Sequence, residues 1–336
     1  MTATYVNAGT DPVVQPAPGD TVQMLKFAPN PQMNFVAACG WDGKTSVWEF
    51  APTLQSQLKA QVSQDPPVLS VAWRRDCAGI FTGGCDNLVK YWDLATNQVS
   101  TIGTHRAPVR EVVWCDGLQH VISGSWDQTL AFWDCRQQNP TATLQLTGRV
   151  FGMALEGPLL ACILSDKKVA TWNVTMIQQG RSTPEIITEN LKYQIRSLAV
   201  SSDAKTVALG LIEGRVMIKK VTPDNARLDP DFAFKCHRDS QIHSVNSMAF
   251  SPVYHTLVTG GSDGVICIWD KQARQKQKGY NGIGAPVTAV DVKCDSTLMV
   301  YAAGYDWHKG IEFAGSSPNK IAIRDVRTDS KSKNSY

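Results

Sequence analysis

Short apolar runs recur along this chain, each ending in small residues and broken by a turn that carries an acid. A second run follows each turn, alternates apolar and polar positions, and closes on a large anchor residue. The segments are FVAACGWDGKTSVWEF, IFTGGCDNLVKYWDL, VISGSWDQTLAFWDC, LLACILSDKKVATWNV, TVALGLIEGRVMIKKV, TLVTGGSDGVICIWDK, and MVYAAGYDW followed later by KIAIRDV. A further apolar run precedes the copies, for example VLSVAW, VREVVW, IRSLAV and VNSMAF. Alternation with a period of two, in short runs bounded by turn residues, predicts strands. No stretch sustains the 3.6-residue period of a helix.

The anchors fall at Trp48, Trp92, Trp133, Trp172, Lys219, Trp269 and Arg324, so successive steps run from 39 to 55 residues. In the first six copies the turn acid stands six residues before the anchor, at Asp42, Asp86, Asp127, Asp166, Glu213 and Asp263. A repeat of about 40–45 residues, lengthened by loop insertions, is the signature of a propeller blade. The expected fold is therefore all-β, a seven-bladed WD-repeat β-propeller spanning residues 21–327. Residues 1–20 form an N-terminal segment. Its Pro12-Val13-Val14 stretch is expected to close the ring as the outer strand of the last blade, because a propeller must hide its edge strands. Residues 328–336 read as a disordered polar tail.

One polar set explains why certain positions recur. In blade three, His105, Ser123, Asp127 and Trp133 stand where a buried hydrogen-bond network would tie the outer loop to the inner strands. Thr82 and Thr259 occupy the Ser123 position in blades two and six, and Gln64 replaces the histidine in blade two. These residues read as structural.

Composition changes the picture mainly by exclusion. The chain has 336 residues, 43% hydrophobic and 19% charged, with a net charge of +3. That is ordinary globular composition, and too mildly basic for a dedicated non-specific nucleic-acid binder. The nine cysteines contain no C-x-x-C pair, so no zinc site is expected, and they read as small buried hydrophobes in a reducing compartment. The N-terminus lacks a signal-peptide pattern, and no run is long enough for a membrane span. A soluble intracellular protein is expected, with no cofactor, metal or small-molecule substrate. Gly260-Gly261-Ser262-Asp263-Gly264 fits G-x-S-x-G, but a nucleophile elbow needs a strand–turn–helix setting and this one is strand–turn–strand. A hydrolase using Ser262 is thus the weaker class of reading against a non-catalytic platform.

The blade meander places the loop leading into each innermost strand, and the turn between the second and third strands, on one end of the disc, the top face. There LKYQIR supplies Lys192 and Arg196, IEGRV supplies Arg215, and FKCHR supplies Lys235, His237 and Arg238. Cationic side chains from three segments thus converge on the sector of blades five and six. Guanidinium groups suit bidentate recognition of carboxylate or phosphate; the bland alternative is a solvated basic rim. In the last blade, Asp306 and Arg324 stand 18 residues apart instead of six. The extra loop, YDWHKGIEFAGSSPNK, carries Trp307 and Phe313, either packed on the disc or offered to a partner.

LKYQIR, IEGRV, FAFKCHR, GSWDQTLAFWD and YDWHKGIEF together resemble the messenger-RNA export factors of the RAE/Gle type, over roughly the whole propeller. Several of these motifs are shared with the paralogous spindle-checkpoint WD-repeat protein that partners Bub-type kinases. YDWHKGIEF and the AFWD ending stand closer to the export factor. The resemblance implies binding of an acidic GLEBS peptide from a GLFG-type nucleoporin, with Arg196 and Arg215 as the acid-binding arginines and Lys235 and Arg238 beside them. It further implies location in the nucleus and at the nuclear envelope pore, also in the cytoplasm, with RNA or messenger ribonucleoprotein, checkpoint and spindle proteins as further partners.

Overall fold

The innermost strand of each repeat is short and mostly apolar, and the seven of them face one another around a common axis. They are Val22–Phe27, Val68–Trp73, Val109–Cys115, Val150–Glu156, Ile195–Val200, Val245–Phe250 and Val287–Val292. Each contacts the next, and the last contacts the first, so the ring is continuous at its centre. The computed structural model describes residues 5–187, 191–221, 231–329 and 331. Seven antiparallel sheets radiate from these strands as a β-propeller, with blades at 22–63, 68–104, 109–145, 150–186, 195–235, 245–281 and 287–325.

Burial within a blade follows from its neighbours. The second strand is sandwiched between two adjacent sheets, so runs such as Gly79–Gly84, Leu159–Leu164 and Leu298–Ala303 are buried at every position. The outer strands Ser56–Ser63 and Phe232–Lys235 alternate half-buried and exposed, because one face meets solvent. The core is accordingly not one centre but seven layers, each between two neighbouring blades. Val216 and Ile218 of blade five, for example, pack on Phe250 and Leu257 of blade six. The anchors Trp48, Trp92, Trp133 and Trp172 all sit in such layers. Lys219 turns instead to Asp231 at 3.0 Å, and Arg324 pairs with Asp11 and lies 4.8 Å from the Tyr280 ring.

The N-terminal segment meets the outer edge of blade seven at Pro12-Val13-Val14, as expected, but not as a regular strand. That blade has three strands, and Val13 makes only an isolated bridge with Ala322, flanked by hydrogen bonds from the Val14 N–H to the Ile321 carbonyl and the Ile323 N–H to the Pro12 carbonyl. Tyr5–Asn7 pairs in parallel with Gln275–Asn281, adding a fifth strand to blade six. Residues 330 and 332–336 of the polar tail lie outside the described residues.

Two features recur in all seven blades and shape the top face. First, the residue after the second strand donates its N–H to the carbonyl just before the innermost strand: Trp126 to Pro108, Ile212 to Gln194 and Ser262 to Ser244 are three of the seven pairs. These bonds fix the turns and the leading loops on one end of the disc. Second, every innermost strand carries a bulge after its first residue. A bulge re-aims one side chain. The bulged residues are Gln23, Leu69, Arg110, Phe151, Arg196, Asn246 and Thr288, and all but Leu69 line a central cavity of about 840 Å³.

Candidate functional site

The turn of blade five is the pivot of the basic sector. Gly214 has φ +63°, which a residue with a side chain adopts only under strain, and its backbone receives two neighbours. The Cys236 N–H donates to the Gly214 carbonyl at 3.0 Å, and the Arg238 guanidinium donates to the same carbonyl through Nε at 3.1 Å. The Ile212 N–H binds the Gln194 carbonyl at 3.2 Å. The three segments that carry Lys192 and Arg196, Arg215, and Lys235 to Arg238 are therefore stitched together through the backbone.

Within that frame the predicted residues separate into groups. Arg215 and Lys235 are direct cross-strand partners, on the same face of blade five. Like charges placed opposite each other weaken a sheet, so stability does not explain this pair. Arg215 is half-buried, with Nε 3.4 Å from Glu213. Arg238 is also half-buried and spends its donors on the carbonyls of Glu213 and Gly214. It organises the turn and borders the sector. Lys192 is exposed, its Nζ 5.2 Å from the centre of the Tyr193 ring. Arg196 stands apart from these, in the bulge position at the mouth of the central channel. Arg196 is exposed to the channel's solvent, yet the protein packed around it and, after that, the Arg110 charge lower its pKa, while Asp306 opposes them.

His237 does not belong to this surface. It is buried, its Nδ1 lies 2.9 Å from Asp263 and its Nε2 2.9 Å from Thr259, and the Trp269 indole donates to the same threonine hydroxyl at 3.0 Å. Blade three has the same arrangement. His105 lies 2.9 Å from Asp127 and 2.7 Å from Ser123, and Trp133 donates to Ser123 at 2.7 Å. His237 is thus the structural histidine of blade six, and its assignment to the cationic surface is corrected. In blade two the Thr82 hydroxyl donates to Gln64 at 3.1 Å, whereas Trp92 turns to Asn97.

Ser262 lies buried beside the Asp306 carboxylate. Both nitrogens of His237 are engaged, so that imidazole is not free to act as a base for Ser262. No group of three His, Cys, Asp or Glu side chains among the described residues is arranged to hold a metal. No helix among them is long and apolar enough to cross a membrane. The last-blade loop exposes two of its aromatics, Trp307 at 47% and Phe313 at 44%, together with Ile311 at 76%, while Tyr305 is buried.

The basic sector extends beyond blades five and six on the same top face. Arg106 and Arg149 are exposed on the loops leading into blades three and four, and Arg110 lies at the channel mouth. The signal was present in THRAPVR and GRVF, which occupy the same repeat position as LKYQIR. The basic arc therefore runs from blade six back to blade three.

The WD domain, G-beta repeat family model matches residues 53–93, 96–134 and 230–270. The mRNA export factor rae-1 of Caenorhabditis elegans is 38% identical, over 96% of this chain and 90% of that protein. The Poly(A)+ RNA export protein of Schizosaccharomyces pombe is 35% identical over 98% of this chain and 95% of its own length, and the mRNA export factor GLE2 of Chaetomium thermophilum 32% over 98% and 94%.

Proposed function

We propose, from the premise that this chain belongs to the Rae1/Gle2 family of WD-repeat mRNA export factors, that it serves mRNA export as a non-catalytic docking platform. The platform receives an acidic GLEBS-type peptide of a GLFG nucleoporin on the top face, and so tethers messenger ribonucleoprotein traffic to the nuclear pore. One observation carries this reading. Arg215 and Lys235, like charges side by side on one strand pair, are held at the edge of a turn that Arg238 and Gly214 lock in place. A carboxylate of the peptide would relieve their repulsion and compete with Glu213 for Arg215, forming charge-assisted hydrogen bonds of about 1.5–3 kcal/mol where desolvated. Arg196 and Lys192 extend the contact toward the axis. An amphipathic peptide segment lying across this sector would follow the helix-in-groove mode of recognition. Trp307 and Phe313 offer a second contact for a protein partner, and RNA is a further partner of the assembled platform.

The same arginines would also suit the acidic peptide of a checkpoint kinase, so the decisive comparison is between peptides. Fluorescence anisotropy with a labelled nucleoporin GLEBS peptide and a labelled Bub-kinase GLEBS peptide should show tighter binding of the nucleoporin peptide. The reverse preference would move the protein to the checkpoint branch, and binding of neither would remove the platform reading.

A further inference from the structure

The end of the disc opposite the top face holds an alcove that peptide docking leaves unused. The turn between the first and second strands of each blade lies there. In blade two that turn carries Arg74, Arg75 and Asp76, and in blade three Asp116 and Gln119. Together with Trp114 these residues line a cavity of about 200 Å³ beside the lower mouth of the axial channel. Drug-sized ligands fill roughly 300–1,000 Å³, so this space suits a single flat ring.

Its groups divide into the engaged and the free. Trp114 stacks on the buried Phe81 ring, with centroids 5.3 Å apart and planes 6° from parallel. The indole is half-buried, and no further ring extends the stack beyond it among the described residues. Arg74 is engaged by Asp76 at 3.3 Å and by Tyr91. One carboxylate oxygen of Asp116 accepts from the Trp114 indole at 3.4 Å and from the Gln119 amide at 3.1 Å. The same amide nitrogen donates to the Asp116 carbonyl at 2.7 Å, which fixes how the amide lies. Three groups are left without a hydrogen bond among the described residues: the second Asp116 oxygen, the Gln119 side-chain carbonyl and the Arg75 guanidinium. Asp76 and Asp116 balance the two arginines, so the alcove is ill suited to a bare phosphate or carboxylate. Two free acceptors, a forked donor and an indole suit a flat, neutral ring with both kinds of edge.

We propose that this alcove binds a guanine base of single-stranded RNA. Guanine presents two adjacent donors, the ring N1–H and the N2 amine, and two adjacent acceptors, O6 and N7. The donors meet Asp116 and Gln119, Arg75 takes the acceptor edge in its fork, and the base lies against Trp114. Adenine, cytosine and uracil each lack the paired donors. This rests on the RNA partner named above and is independent of the peptide sector, which lies on the other end of the disc.

The test is fluorescence anisotropy of the full chain with short labelled oligouridines whose central base is guanine, hypoxanthine, adenine or uracil. The guanine strand should bind about tenfold more tightly than the adenine strand, as a bidentate base contact supplies. Hypoxanthine, which lacks the N2 amine, should fall between them. Asp116→Asn puts a donor where the free acceptor stood, and Arg75→Gln removes the fork. Each should erase the guanine preference. Both side chains are exposed, so the thermal melt and the titration with the nucleoporin GLEBS peptide should not change. Equal affinity for all the strands, or a guanine preference kept by both folded variants, would overturn the alcove; peptide binding in the same samples would leave the docking reading standing. A guanine preference in a protein that does not bind the peptide would do the reverse. Guanosine monophosphate separates the sources of the base. Competition only in large excess over the oligonucleotide supports RNA, whereas competition at equal concentration would assign the alcove to a free nucleotide and overturn the RNA proposal.

Discussion

At the scale of single residues, two histidines show how environment decides role. His105 and His237 each bridge a carboxylate and a hydroxyl that also receives a tryptophan N–H. Truncating either should cost about 1–3 kcal/mol of stability, since buried donors and acceptors are left unpaired. His237→Ala should therefore lower the melting temperature. A loss of peptide affinity with unchanged melting would contradict the structural role. Asp127 makes the same network sensitive to acid. Burial works to raise its pKa, but hydrogen bonds from the Thr129 side chain and the Arg106 N–H, with His105 beside it, hold it below the ordinary aspartate value of 3.8. A carboxyl depressed in the folded state adds stability above its unfolded pKa and loses that contribution as pH falls through the folded value. Asp127→Asn should flatten the acid limb of the stability–pH curve, and an unaltered limb would exclude Asp127 as its source. The blade three network was legible because His105 and Ser123 stand 18 residues apart in an uninterrupted repeat. In blade six the equivalent separation is 22. The longer loop after His237 hid the match, so the residue read as surface charge.

At the scale of elements, the blade five turn carries the argument. A Cβ added at Gly214 would lie 2.8 Å from the Cys236 carbonyl oxygen and 2.9 Å from that of His243, at a φ of +63°. Gly214→Ala should cost about 1–3 kcal/mol through strain and should weaken peptide binding by moving Arg215 and Arg238. A thermal melt and a titration on the same sample would detect both effects, and a variant unchanged in both would show that the turn is not the pivot. The turn and its acid were visible in the sequence, since IEGRV aligns with the other copies. The bulges were not. A bulge leaves the apolar alternation almost unbroken and appears only as a shift in strand pairing, so the inward turn of Arg110 and Arg196 had no sequence signature. The N-terminal segment was obscure for a related reason: its pairing with blades six and seven is set by contacts far along the chain, such as Asp11 with Arg324 and Tyr301.

At the scale of the whole molecule, the period of the propeller was written in the anchors and turn acids, so seven blades and a common top face were readable in the sequence. The distribution of charge on that face was readable only in part, because the basic arc is assembled from loops of four blades. On the docking reading, with a net charge of +3, the attraction for an acidic peptide would come from this arc and should be screened by salt. The screening length falls from about 10 Å at 0.1 M to about 3 Å at 1 M, and peptide affinity should fall with it on the order of tenfold, about 1.4 kcal/mol. The most direct measurement is isothermal titration of the nucleoporin GLEBS peptide into the unaltered protein and into Arg215→Glu, with thermal melts of both. The account predicts tight binding to the first, none to the second, and matching melts. Equal affinity for two equally folded proteins would contradict it.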